Sequence, residues 1–250
     1  RLKWDLCLES WRSRKRLRGL HNKHLGQKAV ILCNGPSLLK TDFDLLRRSG
    51  IFTFGLNKIY LLFDKTEFRP SCIVAVNELV IEQSLEKYRN LEIPLFLDSK
   101  ASRFFSRNKN IIYLHSSSVS RFSRDVSISI QQGFTVTYVA LQLAFHMGFR
   151  DVALVGCDHS FAQKGPANQP VVSGEKDESH FDPRYFSGGV KWNLPDLAAS
   201  EYFYELAREN FKASGRSVVN CTDGGKLEIF PRKRLAGWIK QTNQSNVCWD

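Results

Sequence analysis

The 250-residue sequence lacks any apolar run approaching the roughly 20 residues that a membrane-spanning helix needs. It has no secretory signal pattern, no glycine-rich dinucleotide fingerprint and no P-loop lysine motif. None of its six cysteines forms a Cys-x-x-Cys pair, and Cys33, Cys72 and Cys157 lie in or beside apolar, strand-like runs. Buried free thiols are typical of a reducing compartment, so this cysteine usage predicts a cytoplasmic location.

Acidic residues are fewer than basic residues: the chain has 25 Asp and Glu and 36 Lys and Arg, which gives a net charge of +11. Such a surface favours nucleotides, anionic glycans or an anionic membrane as partners. No RNA-binding aromatic pattern or zinc-finger spacing supports specific nucleic-acid binding. Residues 1–27 are strongly basic and predict an amphipathic helix. Peripheral contact with the inner face of a membrane and packing on the following domain both remain open for it.

From residue 28 onward, short apolar runs alternate with helical patterns. The predicted strands are Lys28–Cys33, Ile51–Gly55, Cys72–Val76, Leu95–Asp98, Ile111–His115, Asp151–Gly156 and Ser217–Cys221. Helices are predicted at Phe134–Gly148, Asp196–Ser214 and Lys233–Lys240. The alternation predicts one α/β domain over residues 28–250, a Rossmann-like, doubly wound and mainly parallel sheet. The long polar stretch at about 159–195 predicts a lid over an active site.

Ligands of such sheets bind beyond the carboxyl ends of the strands. Three of the predicted strands end at Asn34-Gly35-Pro36-Ser37, at Asn57 and at Asp158, and Thr222–Gly225 follows the last strand. We therefore expect these segments to converge on one ligand site.

The four residues after the first strand have two interpretations. Gly35 would let a ligand approach the backbone, and Pro36 and Ser37 suit a helix start whose free N–H groups attract phosphate. The amides of Asn34 and Asn57 can bind a ribose or a base edge. A plain turn with a helix cap explains the same residues, and on residue types alone this alternative stays open.

The lid contains His180, a residue type that exchanges protons near neutral pH and suits a general base. Arg184, Tyr185 and Lys191 follow it and would neutralise a departing phosphate. A lid that carries a base and cations over a nucleotide suits a transferase.

Two groups of residues resemble metal sites. Asp42-Phe43-Asp44 has the form Asp-x-Asp, but it opens a predicted helix, where acidic residues are favoured by the helix dipole. Cys157, Asp158, His159 and His180 have no typical ligand spacing. The sequence therefore predicts a site without a metal ion or a resident cofactor.

Several segments in this order resemble a known group of proteins. The quoted segments are Asn34-Gly35-Pro36-Ser37-Leu38, Gly55-Leu56-Asn57, Thr135–Gly148, Arg150–Asp158, Ser179-His180-Phe181 and Asn220–Leu227. They resemble the bacterial family 42 sialyltransferases and, still more, the DUF115 proteins. The latter include the motility accessory factor glycosyltransferases and the 6-hydroxymethylpterin diphosphokinase MptE-like proteins.

This resemblance implies a metal-independent site for a CMP-linked, sialic acid-like or nonulosonate-like sugar. Asn34 and Asn57 would bind the cytidine monophosphate, Thr135 and Thr137 would contact its phosphate or the sugar, and Asp158 would line the base or ribose pocket. His180 would deprotonate a hydroxyl of a glycan or protein acceptor.

Two other functions fit the same sequence. One is ATP-dependent diphosphate transfer to a hydroxymethylpterin, which needs Mg²⁺ and carboxylates; Asp42, Asp44 and Asp158 are the candidates. The other is a non-catalytic module that binds a nucleotide or a glycan.

Overall fold

The computed structural model describes residues 2–105 and 108–241. The end of the predicted domain, residues 242–250 with Cys248, lies outside the described residues. The other five cysteines are free thiols, and Cys33, Cys72 and Cys157 are buried as predicted.

A seven-stranded parallel sheet forms the centre of the domain, in the order β5-β4-β3-β2-β1-β6-β9. The strands are β1 Lys28–Leu32, β2 Phe52–Leu56, β3 Cys72–Ala75, β4 Leu95–Asp98, β5 Ile111–Leu114, β6 Asp151–Val155 and β9 Ser217–Asn220. The doubly wound, parallel α/β prediction is confirmed, and each predicted strand lies within one residue of its observed bounds. Continuous apolar runs indicate these strands because both faces of a parallel sheet are covered by helices.

The strand order places a switch point between β1 and β6. From β1 the chain builds the sheet outward to β5, and then crosses back to add β6 and β9 on the other side of β1. Connections on the two sides leave the sheet in opposite directions at this point, so a crevice opens beyond the carboxyl ends of β1 and β6.

Helices cover both faces of the sheet. They are α1 Leu2–Asp5, α2 Leu8–Leu20, α3 Phe43–Ser49, α4 Glu78–Gln83, α5 Leu85–Asn90, α6 Val136–His146, α7 Leu197–Ala213 and α8 Leu235–Lys240, with 3-10 helices at Pro36–Lys40, Ile59–Asp64 and Ser99–Arg103. Helices α2, α6 and α7 contribute to the core on one face, and α3, α4, α5 and α8 to the core on the other. None of the described helices is long and apolar enough to cross a membrane.

Helix α6 is shorter than predicted at its start. Gly133 and Phe134 both have left-handed backbones, with φ of 57° and 58°, so helical geometry begins only after the N-cap Thr135. The rest of α6 is almost wholly buried, which explains its apolar character on all sides.

The basic N-terminal segment folds as α1 and α2. Ser10, Ser13 and Leu17 on α2 are buried, and the Ser13 hydroxyl accepts a 3.0 Å hydrogen bond from the N–H of Tyr113 on β5. The opposite face of the helix exposes Trp11, whose side chain is 64% accessible. One face is therefore packed on the domain, while the other carries exposed apolar and basic residues.

The lid contains structure that the sequence did not predict. Within it, β7 (Pro170–Val172) and β8 (Lys191–Asn193) pair as an antiparallel hairpin. Trp192 of β8 is buried and stacks on Phe186 at a centroid distance of 5.0 Å. Each strand has only three residues, too few for a periodic pattern, so the tryptophan contact rather than the local sequence fixes the hairpin.

Candidate functional site

A cavity of about 680 Å³ opens beyond the carboxyl ends of β1, β2 and β6, underneath the lid. Eight of the predicted site residues line it: Asn34, Gly35, Asn57, Thr135, Thr137, Asp158, His180 and Tyr185. Pro36, Ser37 and Arg184 were also predicted, but they lie outside this lining. The convergence follows from the parallel sheet, because all strand ends of one polarity meet at one edge.

The helix start at Pro36 is not available to a phosphate. The Asp158 carboxylate accepts hydrogen bonds from the Ser37 N–H at 3.3 Å and from the Ser37 hydroxyl at 2.7 Å. A Cβ on Gly35 would come within 2.6 Å of the Asp158 Cγ, so only glycine allows this contact. These contacts argue against the prediction that Pro36 and Ser37 bind phosphate, since the Asp158 carboxylate already occupies that position.

A different helix start faces the cavity. Thr135, Val136 and Thr137 at the beginning of α6 all line it. The Thr135 hydroxyl caps the helix by accepting a 3.3 Å hydrogen bond from the Thr137 N–H. The positive end of an eleven-residue helix therefore points toward this cavity. Phe134 precedes it, 54% exposed, and offers an aromatic surface at the cavity.

Two asparagines present amide oxygens without a hydrogen-bond partner among the described residues. Asn34 is 8% exposed and donates from its Nδ2 to the Leu56 carbonyl oxygen at 3.1 Å, but its buried Oδ1 accepts no bond. The buried Oδ1 of Asn57 also accepts none. A buried acceptor without a partner costs about 1–3 kcal/mol, so both atoms are suited to a ligand that supplies N–H or O–H donors.

His180 is held by an aspartate that the sequence analysis did not single out. The His180 Nδ1 lies 2.8 Å from Asp177 Oδ2, and the Asp177 carboxylate also accepts hydrogen bonds from the N–H groups of Ser179 and Phe186. Burial alone would raise the pKa of Asp177, but the bonds from His180 and from those N–H groups outweigh it and lower the pKa. An ionised Asp177 fixes the proton on Nδ1 and leaves Nε2 as the basic nitrogen.

Tyr185 forms the layer beneath His180. The two rings stack at 3.8 Å with an angle of 4° between their planes. Burial raises the pKa of Tyr185, against the opposing effect of the neighbouring Asn57 side chain and Lys58 backbone. Tyr185 therefore supports the ring of the histidine from one side.

Lys58 lies under the lid as a buried cation. Its Nζ donates to the Tyr185 carbonyl oxygen at 2.6 Å and to Gln83 Oε1 at 2.8 Å. Burial lowers the pKa of Lys58 to about 8, against the opposing effect of Asp177. Lys58 thereby fastens the lid to α4, which carries Gln83.

Arg184 is directed away from the cavity, contrary to its predicted role in neutralising a phosphate. Its guanidinium binds Asp182 at 2.9 Å and Asp64 at 3.0 Å. Burial would raise the pKa of Asp182, but hydrogen bonds from Arg184 and Lys65 lower it to about 2. These ion pairs fix the lid on the 3-10 helix Ile59–Asp64. Lys191, on β8, also lies outside the lining of the cavity.

The aspartates proposed as metal ligands do not converge. Asp42 caps α3 by accepting a 2.8 Å bond from the Leu45 N–H, and Asp44 pairs with Arg47. His159 lines the cavity but binds Glu201 at 2.8 Å. Within residues 2–105 and 108–241, no group of three His, Cys, Asp or Glu side chains is arranged to hold a metal ion.

The sequence of this chain matches the model of a known protein family. A family model described as 6-hydroxymethylpterin diphosphokinase MptE-like matches residues 8–164, which is more than half of the chain. The chain belongs to this MptE-like family. The match spans α2 to the beginning of the lid and includes Asn34, Asn57, Thr135 and Asp158.

One solved structure is similar to this MptE-like chain in fold. It is the MAf glycosyltransferase from Magnetospirillum magneticum AMB-1, with a TM-score of 0.54 and 15% sequence identity. The similarity covers 90% of this chain but only 38% of that protein, so the chain spans well under half of its length. A search of curated protein sequences finds no match.

Sequence reasoning missed three features of this MptE-like site. Asp177 precedes His180 by three residues, a spacing that signals contact only once the turn is known. Phe134 was predicted as the first residue of a helix, and its exposure depends on its left-handed backbone. Lys58 follows Asn57 directly, but its burial beneath the lid gives no signal in the sequence.

Proposed function

We propose that this chain is a metal-independent glycosyltransferase that moves an acidic, nonulosonate-like sugar from CMP to a hydroxyl group of a glycan or protein. The observation that carries the proposal is the pair of amide oxygens, Asn34 Oδ1 and Asn57 Oδ1, which have no hydrogen-bond partner among the described residues and share a cavity with His180, itself bound by Asp177. Together they would provide a nucleoside-binding surface and a base in one cavity.

The donor would lie along the cavity from the asparagines to α6. The two amide oxygens would accept hydrogen bonds from the cytosine amino group or from ribose hydroxyls. The start of α6 at Thr135 would receive the phosphate, because its N–H groups and helix dipole favour an anion. Phe134 would stack against the base or a sugar face.

His180 would act as the general base. Its Nε2 takes the proton of the acceptor hydroxyl as the acceptor oxygen forms a bond to the anomeric carbon. The bond from that carbon to the phosphate oxygen breaks, and CMP leaves with the electron pair. General-base catalysis of this kind contributes about 100- to 10,000-fold in rate.

The family description supports a second candidate, Mg²⁺-dependent diphosphate transfer from ATP to a hydroxymethylpterin. Of the three carboxylates that the sequence offered for Mg²⁺, Asp158 alone lines the cavity, and Ser37 already binds it. The carboxylate arrangement therefore favours glycosyl transfer, although the same nucleotide titration tests both.

The nucleotide titration compares CMP, UDP, GDP and ATP, each with and without Mg²⁺, by thermal shift. Ligand at 100 times its Kd would stabilise the fold by about 2.7 kcal/mol. We expect stabilisation by CMP that does not depend on Mg²⁺. Stabilisation by ATP only with Mg²⁺ would support the diphosphokinase, and no response to any nucleotide would refute both proposals.

A pair of glycine variants localises the CMP site. Asn57 and Asn22 both have left-handed backbones, at φ of 47° and 54°, so glycine fits either position without strain. Asn57→Gly removes an amide that lines the cavity, whereas Asn22 lies outside its lining. We expect a CMP affinity at least tenfold weaker in Asn57→Gly and unchanged in Asn22→Gly; equal effects would contradict the assignment.

We further propose that the chain works in the cytoplasm at an anionic membrane surface. Leu2, Leu6, Leu8 and Trp11 are between 58% and 80% exposed on α1, α2 and the turn between them. Residues 2–25 contain seven basic and two acidic residues, and Asp5 and Glu9 are paired with Arg14 and Arg12. Exposed apolar side chains beside unneutralised cations are typical of interfacial helices.

Vesicle sedimentation tests the membrane contact. Wild-type protein should pellet with vesicles that contain phosphatidylglycerol and remain in solution with phosphatidylcholine alone. Trp11→Ser should reduce binding, while Tyr202→Ser, which removes another exposed aromatic on α7, should not. Failure of the wild type to bind anionic vesicles would remove this part of the proposal.

A further inference from the structure

A second cavity of about 490 Å³ adjoins the first, between α4 and the 3-10 helix Ser99–Arg103. Five residues line both cavities: Val76, Asn77, Lys100, Gln132 and Asn193. A molecule in the second cavity would therefore meet a nucleotide-linked donor at this shared border.

The border is fixed by a buried hydrogen-bond network. Asp98 is 4% exposed and accepts bonds from the Lys100 N–H at 2.8 Å, from the Ser116 hydroxyl and from Gln132 Nε2 at 3.2 Å. Gln132 also donates to the Ser116 oxygen at 2.8 Å. Because these polar groups satisfy one another, the wall keeps its shape without a ligand.

The rest of the lining is suited to a carbohydrate. Glu78 and Glu82 of α4 offer carboxylate oxygens for hydroxyl donors, and both pair with Arg103, which limits their movement. Phe104 and Leu79 add apolar surface for the C–H faces of a sugar ring. Three carboxylates, Glu78, Glu82 and Asp98, line the cavity against the cation Lys100 and the neighbouring Arg103, so the negative charge that is left disfavours an anionic ligand.

The proposed base His180 lines the first cavity and is connected through several contacts to the elements that border the second. His180 stacks on Tyr185, whose carbonyl oxygen is bound by Lys58, and Lys58 also binds Gln83 at the end of α4. Gln83 in turn donates to the Lys191 carbonyl oxygen on β8 at 2.9 Å, two residues before the lining residue Asn193. One chain of contacts thus connects the base with the helix and the strand that border the second cavity.

We propose that the second cavity binds the acceptor as a neutral, polyhydroxylated carbohydrate and presents one hydroxyl across the shared border toward His180 in the first cavity. This inference rests on the proposed glycosyltransferase function. The nucleotide donor then lies beside Asn34 in the first cavity, and the acceptor lies beside Glu82 in the second.

Amide NMR shifts of the isotopically labelled full chain test this assignment. The probes are lactose, maltose, chitobiose and xylobiose, each titrated alone and with saturating CMP. We expect at least one sugar to shift the amides of Glu78–Glu82 and Ser99–Phe104 in both conditions. Silence with all four sugars, or complete displacement of the sugar by CMP, would overturn the proposal.

A charge-matched pair of variants sharpens the test. Glu82→Ala removes a carboxylate from the lining, and Glu86→Ala removes one from the exposed side of the neighbouring α5. We expect the sugar affinity to fall at least fivefold in Glu82→Ala alone, with CMP affinity unchanged in both; equal sugar affinity in the two variants would overturn the proposal. Sugar shifts without any CMP response would refute the proposed donor function and not the sugar site.

Discussion

Replacing Asp177 with asparagine changes few atoms, but it is expected to move the ring proton of His180 to Nε2. That nitrogen could then no longer accept a proton from the substrate. The carboxylate oxygen Oδ2 now faces the Nδ1 of His180 at 2.8 Å and the N–H of Phe186 at 3.0 Å. An asparagine can keep its carbonyl oxygen toward Ser179 and place its amide group toward His180. The amide then donates to Nδ1, which moves the ring proton to Nε2, the nitrogen that should accept the substrate proton.

The size of the expected effect follows from two losses, that of the general base and that of the acceptor for the Phe186 N–H. Loss of a general base lowers the transfer rate by about 100- to 10,000-fold, equivalent to about 3–5 kcal/mol in the activation barrier. The N–H of Phe186 would also face an amide donor instead of an acceptor, which costs about 1–3 kcal/mol within the lid. The variant should therefore fold, with a weakened lid and very slow turnover.

Two measurements check this prediction. Nitrogen chemical shifts of the histidine rings report which ring nitrogen carries the proton and need no substrate. Transfer from CMP-sialic acid to an oligosaccharide acceptor, followed by CMP release, reports turnover. The control is Asp182→Asn, the same change in the same lid at a residue that binds Arg184 and Lys65 instead of His180.

The two variants should differ sharply. Asp182→Asn should keep the ring proton of His180 on Nδ1 and retain most of the turnover. If Asp177→Asn keeps both the tautomer and the rate of the wild type, or if Asp182→Asn loses as much activity, the role assigned to Asp177 is refuted.

Three further predictions follow from the same contacts. Gly35→Ala should lower the free energy of unfolding by about 1–3 kcal/mol in urea titrations, because its Cβ displaces Asp158; an unchanged midpoint would contradict this contact. The folded pKa of Asp182, about 2, lies below the usual 3.8, so its ion pairs stabilise the lid above about pH 4 and lose that effect as the pH falls toward 2. Limited proteolysis should cut the lid of Asp182→Asn faster than that of the wild type at pH 7, with the difference shrinking between pH 4 and 2; a pH-independent difference would refute the mechanism. Phe134→Asn, which tolerates the left-handed backbone, should weaken CMP binding about tenfold by calorimetry if the ring stacks on the nucleotide, and unchanged affinity would exclude stacking.

The sequence was sufficient to predict the sheet and the edge at which the candidate site residues meet. Runs such as Lys28–Leu32 and Asp151–Val155 are apolar throughout because helices cover both faces, and that property is local to each strand. Once the strands are parallel, Asn34, Asn57 and Asp158 must meet at one edge. Convergence of the site therefore followed from sequence periodicity and strand polarity.

The direction of each side chain was decided only by the tertiary structure. Asp158 turns back onto Ser37 because Gly35 leaves space for it, and this closes the helix start that looked open in the sequence. Arg184 turns away because two aspartates compete for it, one of them 120 residues earlier in the chain. Such choices depend on partners distant in sequence, and residue types alone carry no information about them.

The proposed base shows the same division between what the sequence predicts, the residue type of His180, and what only the fold decides, the tautomer of its ring. His180 was predictable as a lid histidine, since its residue type and its long polar surroundings are visible in the sequence. The tautomer that makes it a base depends on a 2.8 Å contact with Asp177 and on the stacked ring of Tyr185. The sequence thus determined which residue could exchange a proton, and the folded lid determined which nitrogen would do so under the proposed function.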